Sequence, residues 1–301
     1  MAIILKFGRP ALLIQRDTFE SQEGVFGELL ERYRKNLEDI IPAVARVQVL
    51  NFPAPYVGTA FLVGKSLAMT TRYVATSFIQ ETRGQNLKFK KGLHGKELKV
   101  KLDFKVELGS EDKIEVAVKG VRFIHPWLDI ALLELADDPE GIHPCRLAGE
   151  PPKELIKRSI AVVGYPTIDA LNDIVDTQRI FKGIYGVKRL MLGLIGPPSV
   201  YDQTITHDAS TLGGTGGAPV IDLETGKILG IHYSGTSHAI NYAVSAWELA
   251  RDPWVYSHGV ERSDNVLPAW HELSASPPLT RLMTQKLNYL LLMKFMSFIN
   301  F

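Results

Sequence analysis

The 301-residue chain has a single cysteine, Cys145. One cysteine excludes an internal disulfide and agrees with a reducing compartment, so a cytoplasmic setting is expected. Excess charge of either sign is also missing: 34 Lys and Arg stand against 33 Asp and Glu, a net charge of +1. No global field therefore favours nucleic acid or an acidic membrane surface. The opening Met1-Ala2-Ile3-Ile4-Leu5-Lys6 is too short an apolar run, interrupted by Lys6, Arg9 and Pro10, to serve as a signal peptide. The longest apolar stretch, Leu287 to Phe301, falls short of the roughly 20 residues a spanning helix needs, and no transmembrane segment is expected. There is no Gly-x-x-x-x-Gly-Lys phosphate cradle, no zinc-ligand spacing and no internal repeat, so no cofactor and no metal are expected.

Glycine, by contrast, is concentrated in one place. Gly213-Gly214-Thr215-Gly216-Gly217-Ala218-Pro219 packs four glycines into seven residues, preceded by Thr206-His207-Asp208-Ala209-Ser210-Thr211-Leu212 and followed by Val220-Ile221-Asp222. Two further segments stand earlier in the chain. Tyr56-Val57-Gly58-Thr59-Ala60-Phe61-Leu62-Val63-Gly64 leads into Met69-Thr70-Thr71-Arg72-Tyr73-Val74-Ala75, and His125-Pro126-Trp127-Leu128-Asp129-Ile130-Ala131-Leu132-Leu133 follows.

Together these segments resemble the bacterial trypsin-like serine peptidases. In that family the glycine loop reads P-G-N-S-G-S-P or G-D-S-G-G-P, with the nucleophile three residues before the proline. Counting back from Pro219 gives Gly216. The first segment is similar to the family's G-T-G-F-L-V-G and V-T-N-R-H-V-A, which puts Tyr73 where the base belongs. The second is similar to H-P-x-x-D-x-A-L-L, which makes Asp129 the acid. The resemblance thus implies a degenerate triad of Tyr73, Asp129 and Gly216, and a catalytically inactive member of the family. A serine hydroxyl needs an imidazole to take its proton and a carboxylate to orient that imidazole. A phenol, with a pKa of about 10, is a poor proton acceptor near neutral pH.

The oxyanion-hole frame consists of backbone N–H groups and needs glycine rather than a particular side chain. The resemblance assigns it to Gly214 and Gly216, and places His232, Tyr233 and Ser234 at the wall of a peptide-binding pocket. Binding without cleavage is one reading; the glycines preserving only a turn needed for folding is another. An active peptidase using Thr215 or Ser210 as nucleophile is the alternative, although Thr215 stands one residue out of register and no histidine occupies the base position. Decay in nature is favoured over a laboratory inactivation, because Thr71, Tyr73, Gly216 and Ala218 all depart from the motifs.

The implied fold is all-β, a chymotrypsin-like double β-barrel with N-terminal and C-terminal helical extensions. The expected organisation is an N-terminal extension over 1–43, a first barrel over 44–150, a second over 151–250 and a C-terminal extension over 251–301. Phe26, Leu29, Leu30, Tyr33, Leu37, Ile40 and Ile41 lie at helical spacing, and Pro42 stops the pattern. Ile180-Phe181 and Ile184–Arg189 read as strands, as do Ala161–Pro166, Ile228–Gly235 and Asn241–Val244. A C-terminal helix is expected to begin at Ala246. Lysines between Lys88 and Lys105 alternate with apolar residues, as in a half-buried hairpin with a solvated face, so a nucleic-acid patch is not expected. The apolar tail folds back on the domain, docks a protein partner or lies at a membrane interface. A protein partner is expected, and the resemblance to trypsin-like members of bacterial defence clusters, including CRISPR-associated ones, suggests a regulatory or defence complex.

Overall fold

The structure is a computed structural model that describes residues 9–82, 86–92, 95–168, 172–199, 203–236, 239–263 and 266–269. The apolar tail lies outside the described residues. Two antiparallel barrels carry the fold. The first is closed, with strand order β10-β5-β4-β3-β8-β9. Its members are β3 (Val44–Leu50), β4 (Gly58–Gly64), β5 (Leu67–Thr70), β8 (Lys99–Asp103), β9 (Glu115–Ile124) and β10 (Ala131–Leu135). Directly paired residues share a face, so Val44, Phe61, Met69 and Leu132 stand together on one side of these strands and Val47 and Leu102 on the other, and both sides are buried.

The second barrel runs β13-β16-β15-β14-β11-β12. Its strands are β11 (Ser159–Gly164), β12 (Arg189–Leu194), β13 (Thr204–His207), β14 (Pro219–Asp222), β15 (Ile228–Thr236) and β16 (Ile240–Ser245). An Ile195–His207 bridge, and a 2.8 Å bond from the Gly196 N–H to the Thr206 carbonyl, return its last strand to its first. All-β chemistry and the double barrel are as the resemblance implies.

The N-terminal extension is more than helix. β1 (Ala11–Gln15) and β2 (Thr18–Phe19) form a hairpin, and β1 extends the second barrel's sheet by pairing Ala11, Leu12 and Leu13 with Met191, Leu190 and Arg189. The expected single helix is two, α1 (Val25–Arg32) and α2 (Arg34–Ile40), because Tyr33 between them leaves helical geometry (φ −111°, ψ 15°). Both turn one stripe inward, with Leu30 and Leu37 fully buried. A 3-10 turn over Ile41–Ala43, built on Pro42, ends the segment. After the barrels, α5 (Ala246–Arg251) and α6 (Pro253–Ser257) are separated at Asp252 by Pro253.

Three local expectations are corrected. Ile180-Phe181 closes a helix, α4 (Ile174–Phe181), whose start is fixed by Asp173 accepting from the Val175 and Asp176 N–H groups. Residues 184–188 are irregular, and the strand begins only at Arg189. The lysine-rich stretch is not one hairpin: β7 (Asn86–Phe89) pairs with β6 (Ile79–Thr82), while Lys99 and Lys101 belong to β8 and face β3. Alternation showed the sidedness of these strands but not their partners. Among the described residues, no helix is long and apolar enough to cross a membrane.

The barrels meet along a seam of side-chain to backbone bonds. The Tyr165 hydroxyl, fully buried, shares its one proton between the carbonyls of Val44 (3.2 Å) and Asp103 (3.4 Å). Arg46 reaches across to the Gly186 carbonyl at 2.8 Å. Lys188, buried 3.7 Å from Glu107, donates to the carbonyls of Ile41 (3.0 Å) and Phe104 (2.7 Å). Burial holds its pKa down to about 8 despite the carboxylate of Glu107. Charged groups in such a position are tolerated because nearly every donor finds an oxygen.

Candidate functional site

Thr70, the last residue of β5, is followed by Thr71, whose hydroxyl accepts from the Val74 N–H at 3.2 Å and starts helix α3 (Arg72–Phe78). Arg72 and Tyr73 are therefore the first two residues of a helix pinned to a strand end. Ala131 pairs with Thr70 across β5 and β10, so Asp129, two residues before Ala131, comes alongside that helix start. The Tyr73 N–H donates to Asp129 Oδ1 at 3.0 Å, and the Arg72 N–H also donates to the carboxylate. Burial pushes the Asp129 pKa up, against those two N–H groups and the Arg72 charge. The Tyr73 side chain is 68% exposed and its phenol turns to solvent.

The loop before Asp129 is held from beneath. The Arg72 guanidinium donates to the carbonyls of His125, Pro126 and Leu128. His125, fully buried, accepts at Nδ1 from the N–H groups of Leu128 (3.0 Å) and Trp127 (3.3 Å), which leaves its proton on Nε2, 3.2 Å from Asp252 Oδ2. Both ring nitrogens are committed, so the imidazole nearest Asp129 in sequence is a structural group. It ties the C-terminal helices to the Asp129 loop, with Trp254 packed edge-on against Trp127 at 5.0 Å.

The glycine loop supplies the third corner. Gly214 (φ 80°) and Gly217 (φ 90°) occupy left-handed conformations, and a Cβ at either would lie 2.4 Å from the Tyr165 carbonyl or 2.0 Å from the Thr59 carbonyl. Its other N–H groups turn inward: Thr215 bonds the Leu212 carbonyl, Gly217 that of His232, and Ala218 that of Thr215. Among the described residues, the N–H groups of Gly214 and Gly216 have no acceptor.

Thr59 joins this loop to the first barrel. Its N–H donates to the Gly216 carbonyl and its hydroxyl to the Gly214 carbonyl, both at 2.9 Å, and the hydroxyl also accepts from the Tyr165 N–H at 3.2 Å. The Thr70 hydroxyl in turn donates to the Thr59 carbonyl at 2.7 Å. Strand β4 is thereby in register with both the glycine loop and the strand that ends in Tyr73. Sequence reasoning passed over Thr59 as part of an apolar motif. The signal was there: a hydroxyl in the middle of a run that is otherwise buried hydrocarbon.

The alternative nucleophiles are inside the protein. Thr215 is fully buried with its hydroxyl lacking any partner, and Ser210 is fully buried with its hydroxyl donated to the Arg9 carbonyl at 3.1 Å. His232, placed by the resemblance on a pocket wall, is fully buried, its Nδ1 3.1 Å from His207 Nε2. Burial pulls the His207 pKa to about 3 and His232's well below its ordinary value, with the neighbouring ring adding to the latter. Tyr233 and Ser234 are half-buried on β15, next to a register shift against β16. Among the described residues, no group of three or more His, Cys, Asp and Glu could hold a metal.

Two barrels meeting at a three-cornered seam, with an acid on the first and a glycine turn on the second, define a trypsin-like architecture. The family description "trypsin-like peptidase domain" matches residues 58–231, more than half of the chain, and the chain belongs to that family. Among solved structures it is similar to Deg5, with a TM-score of 0.51 and 18% identity over 77% of this chain and 97% of that one. It also matches the inactive form of the Rv3671c protease of M. tuberculosis (TM-score 0.43, 19% identity, 75% and 92% covered). The HtrA-type protease AlgW with a decapeptide matches as well (TM-score 0.47, 15% identity, 75% and 68% covered). At these identities the likeness is one of fold. No curated protein sequence matches the chain.

Proposed function

We propose that this chain is a trypsin-like domain without peptidase chemistry, which holds a segment of a partner protein at the seam between its barrels. The observation that carries this reading is the contact at Asp129. The group next to the acid is the backbone N–H of Tyr73, at 3.0 Å, while the side chain of that residue is a solvent-exposed phenol. Neither a base at position 73 nor a hydroxyl at position 216 is there to make an acyl-enzyme. An oxyanion frame alone gives about 10³- to 10⁴-fold over water, far too little to hydrolyse a stable peptide bond. Burial of Thr215 and Ser210 argues against either as a replacement nucleophile.

The setting that the resemblance suggests is a regulatory or defence complex in a bacterial cytoplasm, with the domain as a protein-binding module. Extended peptides add to exposed strand edges by main-chain bonds, and this is the mode of binding proposed for the partner segment. The test is restoration. The double variant Tyr73→His, Gly216→Ser is expected to hydrolyse p-nitrophenyl acetate at a rate that either single variant lacks, because Asp129, Thr59 and the turn already hold the geometry. A correctly folded double variant with no gain would overturn the assignment of the three corners.

A further inference from the structure

The donors at this seam point to one class of ligand. Gly216 is buried and its N–H has no acceptor among the described residues; the half-buried Gly214 N–H has none either. Buried backbone N–H groups are paired in the great majority of cases. Here the turn that leaves two of them unpaired is fixed from three sides, by Thr59, by Tyr165 and by the His232 carbonyl. Position 216 carries no hydroxyl, and the phenol at position 73 turns to solvent. The groups this turn offers are therefore the N–H donors of Gly214 and Gly216.

Such a donor set suits an anion better than a neutral carbonyl, since hydrogen bonds to an ionised acceptor are about twice as strong. Paired N–H groups of a turn are a recurring receptor for terminal carboxylates. With no hydroxyl at 216, both oxygens of a carboxylate can approach the turn. The opposing charge is Asp129, and it is already occupied by the N–H groups of Tyr73 and Arg72 beside the Arg72 cation. We propose that the Gly214–Gly216 turn recognises the free C-terminal carboxylate of a peptide, in place of the internal peptide bond that a peptidase would receive. This deepens the reading of the seam as a non-catalytic peptide site and rests on it.

The experiment uses the full chain labelled with ¹⁵N-glycine. It is titrated with a mixture of acetylated tripeptides, varied in sequence and ending in a free carboxylate, and separately with the same mixture ending in a carboxamide, at equal ionic strength. The expected result is a saturable downfield shift of the Gly214 and Gly216 amide signals with the acid, at least tenfold tighter than with the amide. Gly216→Ser, which puts a hydroxyl beside the turn at a position without positive φ, is expected to bring that ratio close to one. Equal shifts with both mixtures would overturn the carboxylate preference and leave the peptide site standing. Absence of any shift at either glycine would overturn the receptor itself, whereas the no-catalysis reading is judged separately by turnover.

Discussion

The two barrels share a strand plan but enclose different interiors. The first buries mainly hydrocarbon on its strands, Phe61, Val63, Met69, Leu102 and Leu132 among it, whereas the second buries Thr211, Asn241, Ser245 and the His207–His232 pair. Thr211 donates to Asn241 Oδ1 at 2.9 Å, and Asn241 donates to the Ala209 carbonyl at 2.8 Å. An apolar interior is indifferent to pH. A buried imidazole pair is not: two rings whose facing nitrogens lie 3.1 Å apart hold one proton between those nitrogens and cannot both become cations. The difference also bears on the site, because the His232 N–H and carbonyl bond Ala218 and Gly217. The glycine turn thus hangs on the polar barrel, while Asp129 and Tyr73 hang on the apolar one.

The largest expected effect comes from acid. The folded His207 pKa is about 3 against an ordinary 6.5. Above pH 6.5 both states carry it neutral; as pH falls towards 3, the unfolded chain takes up a proton that the folded one refuses, and stability is lost. The full shift corresponds to about 4 to 5 kcal/mol, and His232 adds to the slope. Urea denaturation followed from pH 7 to 4 should show this loss, and His207→Leu should flatten it. A chain equally stable at pH 7 and pH 4 would erase the contrast between the barrels.

In the other barrel the test is a cavity. Phe61→Ala is expected to cost about 3–5 kcal/mol, and the same amount at pH 7 as at pH 5, measured by the same denaturation. A strongly pH-dependent cost would show that the two interiors are coupled. The smallest effect is at the helix that carries Tyr73. Removing the cap with Thr71→Ala should cost about 1 kcal/mol and speed hydrogen exchange at the Tyr73 amide, which bonds Asp129.

How much of this was legible beforehand differs between the corners. Tyr73, Asp129 and Gly216 were reached by counting within motifs, where strand ends and tight turns fix residue spacing, and the structure sets the first two in contact through the Tyr73 N–H. The strands at Ser159–Gly164, Ile228–Thr236 and Ile240–Ser245 were likewise visible from alternation between turn residues. Helix α4 was missed because Ile180 and Phe181 are β-prone residues whose helix is set by Asp173, seven positions upstream. The direction of His232 was not readable either, since neighbouring strand residues face opposite sides and the register shift near Ser234 is invisible in sequence. The role of Thr59 depends on contacts more than 100 residues away, with Gly214, Gly216 and Tyr165, and no local pattern encodes them.

The central claim is that this site performs no acyl chemistry, and it is tested most directly by incubating the unaltered chain with a fluorophosphonate probe and measuring incorporation by intact-mass spectrometry. The account predicts no adduct at any serine or threonine under conditions where an active trypsin-like peptidase labels fully. Stoichiometric labelling at one residue of this chain, Thr215 and Ser210 included, would contradict it.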